Sequence, residues 1–240
     1  MKVRSIYSPN FNKKRRSYKS IKFLIIHYTG MQSERESIIK LCNSKSKVSS
    51  HFVINQKGKI YRLVQDNQIA WHAGKSCWGK YKNLNKTSIG IELGNKGHKF
   101  GYTNFKKKQL SSLIKICKNL IRKYRIKKQN IVGHSDVAPL RKIDPGEKFS
   151  WKELAYEKIG IWHNCNTKIL KKLRKVRISP KFKSEFINSL KKIGYCFDNK
   201  KKANFVKIIK AFQRHYRKEL INGIIDRECL LIAKNILKKI

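Results

Sequence analysis

Acidic side chains are scarce in this 240-residue chain, in which only 14 Asp and Glu residues stand against 58 Lys and Arg. The resulting formal charge of +44 attracts polyanions, whether nucleic acid, anionic lipid or an anionic wall polymer. Two observations weaken a nucleic-acid function. The cations run along the whole chain, and Arg, which suits base and phosphate recognition best, supplies only 13 of them. Lys, Ile and Asn share A/T-rich codons, so we attribute most of the charge to genome composition.

Long apolar runs are lacking too, and no segment approaches the length of a membrane span. The basic first 20 residues hold no apolar stretch of signal-peptide length, and the run from Phe23 to Ile26 is too short for one. We therefore expect a cytoplasmic protein. The alternative is the periplasm or cell envelope, reached by a route without a cleavable signal.

Paired cysteines are also lacking, because the six Cys residues are widely spaced and form no CxxC motif. A metal cluster or a disulfide framework is therefore disfavoured. Four of them lie in apolar, apparently helical segments, where Cys usually behaves as a small hydrophobe. These four are Cys42, Cys117, Cys196 and Cys229.

Strand-like and helix-like segments alternate over the first two thirds of the chain, whose hydrophobic content of 40% is ample for a core. The strand candidates are residues 21–28, 51–55, 59–64, 88–93 and 129–133, and the helix candidates are residues 34–42 and 106–124. The turn Gln56–Gly58 joins two of these strands as a hairpin. The pattern predicts an α/β fold with a central mixed β-sheet flanked by helices.

Only helical periodicity remains after about residue 165. Pro180 and Gly194 mark the start and end of one helix, and Asp226 can cap the last one. We predict two domains, a catalytic domain at residues 1–164 and a small three-helix domain at residues 165–240.

Three side chains form a candidate metal site. His27 ends a predicted buried strand, and the segment from His134 to Asp144 supplies a second imidazole and a carboxylate. Two imidazoles and one carboxylate leave a tetrahedral Zn²⁺ with one open position, as catalytic zinc sites require. The spacing alone does not separate this role from ordinary ones, because single His residues are usually structural and Asp144 before Pro145 could shape a turn.

Six motifs in register resemble the type-2 N-acetylmuramoyl-L-alanine amidases, a zinc-dependent family, in its AmpD/AmiD-like branch. The resemblance covers about residues 6–162, including an entry segment at Ser8–Phe11. The motifs are Leu24–Thr29, Val48–Ile54, Ala70–Gly74, Ser88–Leu93, His134–Pro139 and Arg141–Gly146. The resemblance implies hydrolysis of the amide between N-acetylmuramic acid, or its 1,6-anhydro form, and L-alanine of peptidoglycan, in wall turnover or muropeptide recycling.

The resemblance also implies roles for single residues. His27, His134 and Asp144 match the ligands of one catalytic Zn²⁺. Glu92 matches the acidic residue that activates the attacking water, and Lys142 matches the cation that stabilises the oxyanion. Without the motif, Glu92 reads as a strand-end charge and Lys142 as one lysine among 45.

Four further positions match the substrate groove of the family: Trp71, His72, Ala73 and Arg141. Two of these residues have an alternative to substrate contact. Trp71 could simply fill the core, and Arg141 could brace a loop. Some relatives carry Cys as the third ligand or Tyr before the His of the second motif. Here these positions hold Asp144 and Ser50, so the catalytic aid of that Tyr is missing.

The C-terminal helices resemble a peptidoglycan-binding module, in which a Phe-Gln pair and a later Gly-x-x-Asp are typical. Phe212-Gln213 and Gly223–Asp226 fit this pattern. The predicted partner is peptidoglycan or a muropeptide, with no specific nucleic acid. Two rivals are a non-enzymatic wall-recognition protein on the same fold and a nucleic-acid-binding protein. The charge motivates only the second rival, and neither explains the five-residue set of His27, Glu92, His134, Lys142 and Asp144.

Overall fold

The computed structural model describes residues 2–197 and 202–240, and in them a central mixed sheet carries helices on both faces. The strands are β1 (Val3–Ser5), β2 (Phe11–Asn12), β3 (Phe23–Tyr28), β4 (Phe52–Ile54), β5 (Ile60–Arg62), β6 (Ile69–Ala70), β7 (Cys77–Trp78), β8 (Tyr81–Lys82), β9 (Ser88–Leu93) and β10 (Ile131–Gly133). The helices are α1 (Glu34–Cys42), α2 (Lys107–Tyr124), α3 (His134–Val137), α4 (Trp151–Tyr156), α5 (Thr167–Leu173), α6 (Pro180–Ile193), α7 (Lys202–Tyr216) and α8 (Arg227–Leu237). The predicted α/β class is confirmed.

The main sheet has the strand order β1-β5-β4-β9-β3-β10. All its neighbours are parallel except β4 and β5, which form the predicted hairpin. In the centre β3 pairs with β9 in a register that sets His27 beside Glu92. The parallel strands therefore end at the same edge, and the candidate residues lie there together.

Alternation along β3 divides the apolar residues between two cores. Leu24 and Ile26 face one layer, where α2 contributes Leu113 and Leu120. Phe23 and Ile25 face the other layer. His27 has the same parity as this second pair, so the chemistry lies on the face opposite α2.

The helices after residue 165 pack on that second face and do not form a core of their own. Phe23 and Val132 of the sheet belong to one apolar cluster with Phe186, Phe212 and Ile232 of the helices. The three predicted helices are present with the predicted Pro180 and Gly194 ends and the Asp226 cap. The described part of the chain adds a fourth, α5, whose seven residues are too few to show periodicity. We call α5–α8 the bundle. The division at residue 165 stays a prediction.

Two cysteine predictions differ from the structure. Cys77 and Cys196 form a disulfide between β7 and the segment that follows α6, although they are 119 residues apart in sequence. The expectation that disulfides are disfavoured is therefore wrong for this pair, because the fold brings together two cysteines that no local spacing connects. The prediction that Cys196 lies in a helix as a small hydrophobe is therefore wrong, because the helix ends at Ile193. Cys117 and Cys229 are buried on helices as predicted.

The described helices include none that is both long and apolar enough to cross a bilayer.

The shared core predicts unequal costs for two Phe residues on α6. Phe186 is fully buried, whereas Phe182 is 39% exposed. We expect Phe186→Ala to lower the free energy of unfolding by about 3–5 kcal/mol, because it leaves a cavity beside Phe212 in the apolar cluster that the helices and the sheet share. Phe182→Ala should cost about 1 kcal/mol or less. Urea unfolding measures both, and equal costs would contradict the packing described.

Candidate metal centre and cleft

Three donor atoms converge at the carboxyl edge of the sheet. His27 Nδ1 lies 3.0 Å from His134 Nδ1, and each of these atoms lies 3.1 Å from Asp144 Oδ2. The donors of a tetrahedral zinc site, at about 2.0 Å from the ion, are about 3.3 Å apart. All three residues are buried. The structure thus brings the predicted ligand set together in the geometry of a metal site.

A relay of hydrogen bonds fixes the tautomer of His27. The Ser88 hydroxyl donates to the Leu84 carbonyl at 2.6 Å, which leaves its oxygen to accept Nε2–H of His72 at 3.1 Å. His72 Nδ1 then accepts Nε2–H of His27 at 3.0 Å. His27 Nδ1 therefore keeps its lone pair, which faces the shared centre.

The pKa values agree with neutral imidazoles in this relay. Burial, and then the charge that His134 would carry, lower the pKa of His27 to about 4. Burial, and then His27, hold the pKa of His72 well below its ordinary value. Both rings are therefore neutral at pH 7, as metal ligation and the relay require.

His134 is oriented from the opposite side. Its Nε2–H donates to the Ala73 carbonyl at 3.2 Å, so its Nδ1 also keeps a lone pair for the centre. The Arg141 guanidinium donates to the Ala73 and Lys75 carbonyls and holds this loop in place. Arg141 therefore braces the loop, which is one of the two roles considered for it.

Asp144 completes the donor set as a carboxylate. Burial acts to raise its pKa, but the adjacent imidazole of His134 outweighs burial and holds the pKa far below its usual range. Its backbone carbonyl accepts the Ser135 N–H at 2.8 Å, which ties the two ligand segments together. Three lone pairs then face one point with no proton between them, and such a set fits a cation.

Glu92 lies in the cleft beside the three donors. Among the residues that the structure describes, no group hydrogen-bonds its buried Oε2 atom. Burial, and then the negative charge of Asp144, raise the pKa of Glu92 well above its ordinary value, whereas Lys142 and Lys40 act to lower it. A buried carboxylate oxygen without a protein partner suits a water molecule held at the centre.

The cleft itself has a volume of about 290 Å³. Lys142 lines it together with Lys40, so two ammonium groups flank Glu92. The described lining residues are His27, Tyr28, Thr29, Gly30, Met31, Ser37, Lys40, Leu41, Val48, His72, Glu92, His134, Arg141, Lys142, Ile143 and Asp144.

The four predicted groove residues have different positions. His72 and Arg141 line the cleft, although their hydrogen bonds orient His27 and brace a loop. Ala73 is fully buried and contributes its carbonyl. Trp71 lies elsewhere, with its indole N–H donating to Asn12 Oδ1 at 2.6 Å. Substrate contact by these residues stays a prediction.

Sequence reasoning missed Ser88, although a signal existed. Ser88, Gly90 and Glu92 alternate along one strand and therefore share the face that carries the chemistry. Gly90 is required there for space, because a Cβ atom would lie 2.5 Å from the His72 ring.

Donor set, buried carboxylate and cleft define a metal-site hydrolase, and the comparisons agree. The family model for N-acetylmuramoyl-L-alanine amidase matches residues 17–147. The chain belongs to this amidase family.

Two relatives resemble the chain along most of its length. It is 35% identical to N-acetylmuramoyl-L-alanine amidase AmiD of Escherichia coli over 93% of this chain and 84% of AmiD. The structure of AmiD with anhydro-N-acetylmuramic acid-L-Ala-D-γ-Glu-L-Lys superposes with a TM-score of 0.81 at 34% identity, covering 95% of this chain and 93% of that one. AmpDh3 of Pseudomonas aeruginosa in complex with anhydromuramic pentapeptide gives a TM-score of 0.80 at 30% identity, covering 95% and 96%.

The relay predicts that Gly90→Ala weakens metal binding. The added methyl group would displace the His72 ring, which holds His27. We expect the affinity for Zn²⁺ to fall roughly tenfold or more in a chelator competition.

Gly94→Ala is the matched control, because a Cβ there meets its nearest atom at 3.4 Å, an ordinary contact. Equal Zn²⁺ affinity in both variants would contradict the orienting role of His72.

Proposed function

We propose that this protein is a zinc-dependent amidase that hydrolyses the bond between N-acetylmuramic acid, or its 1,6-anhydro form, and L-alanine of peptidoglycan stem peptides. The observation that carries the proposal is the convergence of His27, His134 and Asp144 beside the buried, unpaired oxygen of Glu92. Similarity to AmiD over most of both chains supports the same reaction. Cell-wall turnover or muropeptide recycling is the corresponding role.

Zn²⁺ suits the donor set better than harder ions do. Two imidazole nitrogens and one carboxylate are typical of catalytic zinc, whereas Mg²⁺ and Ca²⁺ prefer oxygen ligands. When bound there, zinc supplies Lewis acidity that lowers the pKa of a water molecule and polarises an amide carbonyl. The protein residues around the ion orient the substrate and carry a proton from the attacking water to the leaving amine.

Glu92 is the proposed proton carrier. Its raised pKa makes the carboxylate a better base near neutral pH than an exposed Glu. Its free Oε2 can accept a proton from the attacking water and then deliver it to the leaving amine nitrogen of L-alanine. This transfer balances the reaction, because the muramoyl carboxyl keeps the water oxygen and the amine takes the proton.

Lys142 is the proposed electrostatic stabiliser of the transition state. Its side chain lines the cleft, and its charge acts on both Glu92 and His27. An ammonium group aimed at the scissile carbonyl oxygen stabilises the negative charge that develops during attack.

Soluble anhydromuropeptides are the substrates that the relatives support most directly. Both AmiD and AmpDh3 have been solved with anhydromuramic peptides. The cations Lys40, Arg141 and Lys142 at the cleft complement the carboxylates of a stem peptide.

Wall binding by the bundle stays a prediction from resemblance. The motif residues that suggested it form hydrogen bonds within the bundle itself. The Gln213 side chain bonds Asn222, Gly223 and Ile224. The Asp226 side chain caps α8. These contacts explain the pattern by folding alone.

The cellular location is proposed from the disulfide. The bond between Cys77 and Cys196 is typical of oxidising compartments, since cytosolic thiols are kept reduced. It supports the periplasm or cell envelope over the cytoplasm.

Glu92→Gln should keep Zn²⁺ affinity and lower kcat by about 10²–10⁴-fold, because the amide cannot accept the proton. Mass spectrometry of products from a defined anhydromuropeptide, with and without chelator, measures the reaction. Glu157→Gln removes an exposed carboxylate bonded to Lys118 and should leave kcat unchanged. Full turnover by purified Glu92→Gln would rule out the base assignment. Wild-type protein that binds Zn²⁺ but releases no peptide would favour a non-enzymatic wall-recognition protein.

Lys142→Met should lower kcat by about 10²–10³-fold while KM changes little, because the ammonium acts mainly on the transition state. Lys118→Met, on the exposed face of α2, is the control for loss of one cation. A rise in KM with unchanged kcat would instead assign Lys142 to ground-state substrate binding.

A further inference from the structure

Asp136 is a buried carboxylate that the proposed reaction does not use. It is 1% exposed and lies two residues after the ligand His134, in the short helix α3. Its Oδ2 accepts the Gly133 N–H at 2.7 Å and so fixes the start of the turn that carries His134. The carboxylate is thus part of the local frame of a metal ligand.

Two further side chains contact Asp136, one from the segment that connects α6 to α7 and one from α7. The Tyr195 hydroxyl donates to Oδ1 at 2.8 Å, and His215 Nδ1 lies 2.7 Å from Oδ2. Tyr195 and His215 are 2% and 4% exposed, so water does not compete strongly for these bonds. A buried carboxylate requires such partners, because an unpaired charge in the interior is strongly destabilising.

Both partners are themselves held in place. The His215 ring stacks on Trp151 at a centroid distance of 3.9 Å, with an interplanar angle of 12°. Tyr195 packs edge-on against Trp78 at 4.8 Å. Beside Tyr195, the Gly79 N–H donates to the Gly194 carbonyl at 2.7 Å.

The backbone under His134 has little freedom to move. A Cβ on Gly133 would lie 2.7 Å from Pro145 and 3.2 Å from Trp151. The turn is therefore pressed between the loop of Asp144 and the start of α4. A displacement of Asp136 would therefore also displace His134 and the loop that carries Asp144.

We propose that Tyr195 and His215 are positioning residues of the metal site, which act on His134 through Asp136. The bundle then helps to hold a metal ligand in place and is not only an appended module. This inference rests on the proposed zinc site.

Zn²⁺ affinity tests the inference without reference to activity. Tyr195→Phe removes one hydroxyl from Asp136, and His215→Leu removes the second donor. We expect each to weaken Zn²⁺ binding roughly tenfold in a chelator competition, because partners outside the ligand set tune affinity by about 10–100-fold. His215→Asn, whose amide can donate near the position of Nδ1, should recover most of the affinity.

Tyr124→Phe is the matched control, since it also removes a Tyr–Asp hydrogen bond. The partner is Asp66, whose carboxylate bonds Arg62, Lys123 and Tyr124 in the described residues and none of the three ligands. Thermal unfolding of the metal-free proteins records the purely structural cost of each change. A loss of Zn²⁺ affinity in Tyr195→Phe and His215→Leu, with none in Tyr124→Phe, supports the inference. Wild-type affinity in both bundle variants overturns it, whereas a wild-type protein that binds no Zn²⁺ overturns the proposed function and this inference with it.

Discussion

Three lone pairs that face one point with no proton between them are the constraint on which the rest of this structure depends. His27 and His134 each commit Nε2–H to another acceptor, and Asp144 is held ionised. Without a cation the three donors repel one another, so folding of this region and metal binding are thermodynamically linked. The sheet register, the Ala73 loop and the Ser88 relay all maintain this arrangement.

The spacing of apolar residues was enough to predict the strands and helices that position the site. Apolar runs identified the central strands, and helical periodicity identified α1, α2 and the three long helices of the bundle. The end of β3 marked His27, whereas the role of Glu92 came only from the resemblance, because its position alone indicates a strand-end charge. Lys142 could be found only by resemblance, because composition hides one lysine among 45.

Contacts between distant segments lay beyond the sequence. Asp136 meets Tyr195 across 59 residues and His215 across 79, and no periodicity encodes such pairs. The Cys77–Cys196 bond is of the same kind, since both residues lie outside the regular helices where spacing is informative. Tertiary packing, not local propensity, decides these interactions.

Many of the few acidic residues of this lysine-rich chain lie in its interior. At least six of the 14 are buried: Asp66, Glu92, Asp136, Asp144, Asp226 and Glu228. A buried carboxylate needs specific partners, whereas an exposed position accepts Lys at little cost in stability. The excess of Lys in this chain therefore falls mainly on the surface. The charge of +44 describes that surface, while the proposed metal site, the proposed proton carrier and the proposed link to the bundle depend on carboxylates that the interior retains.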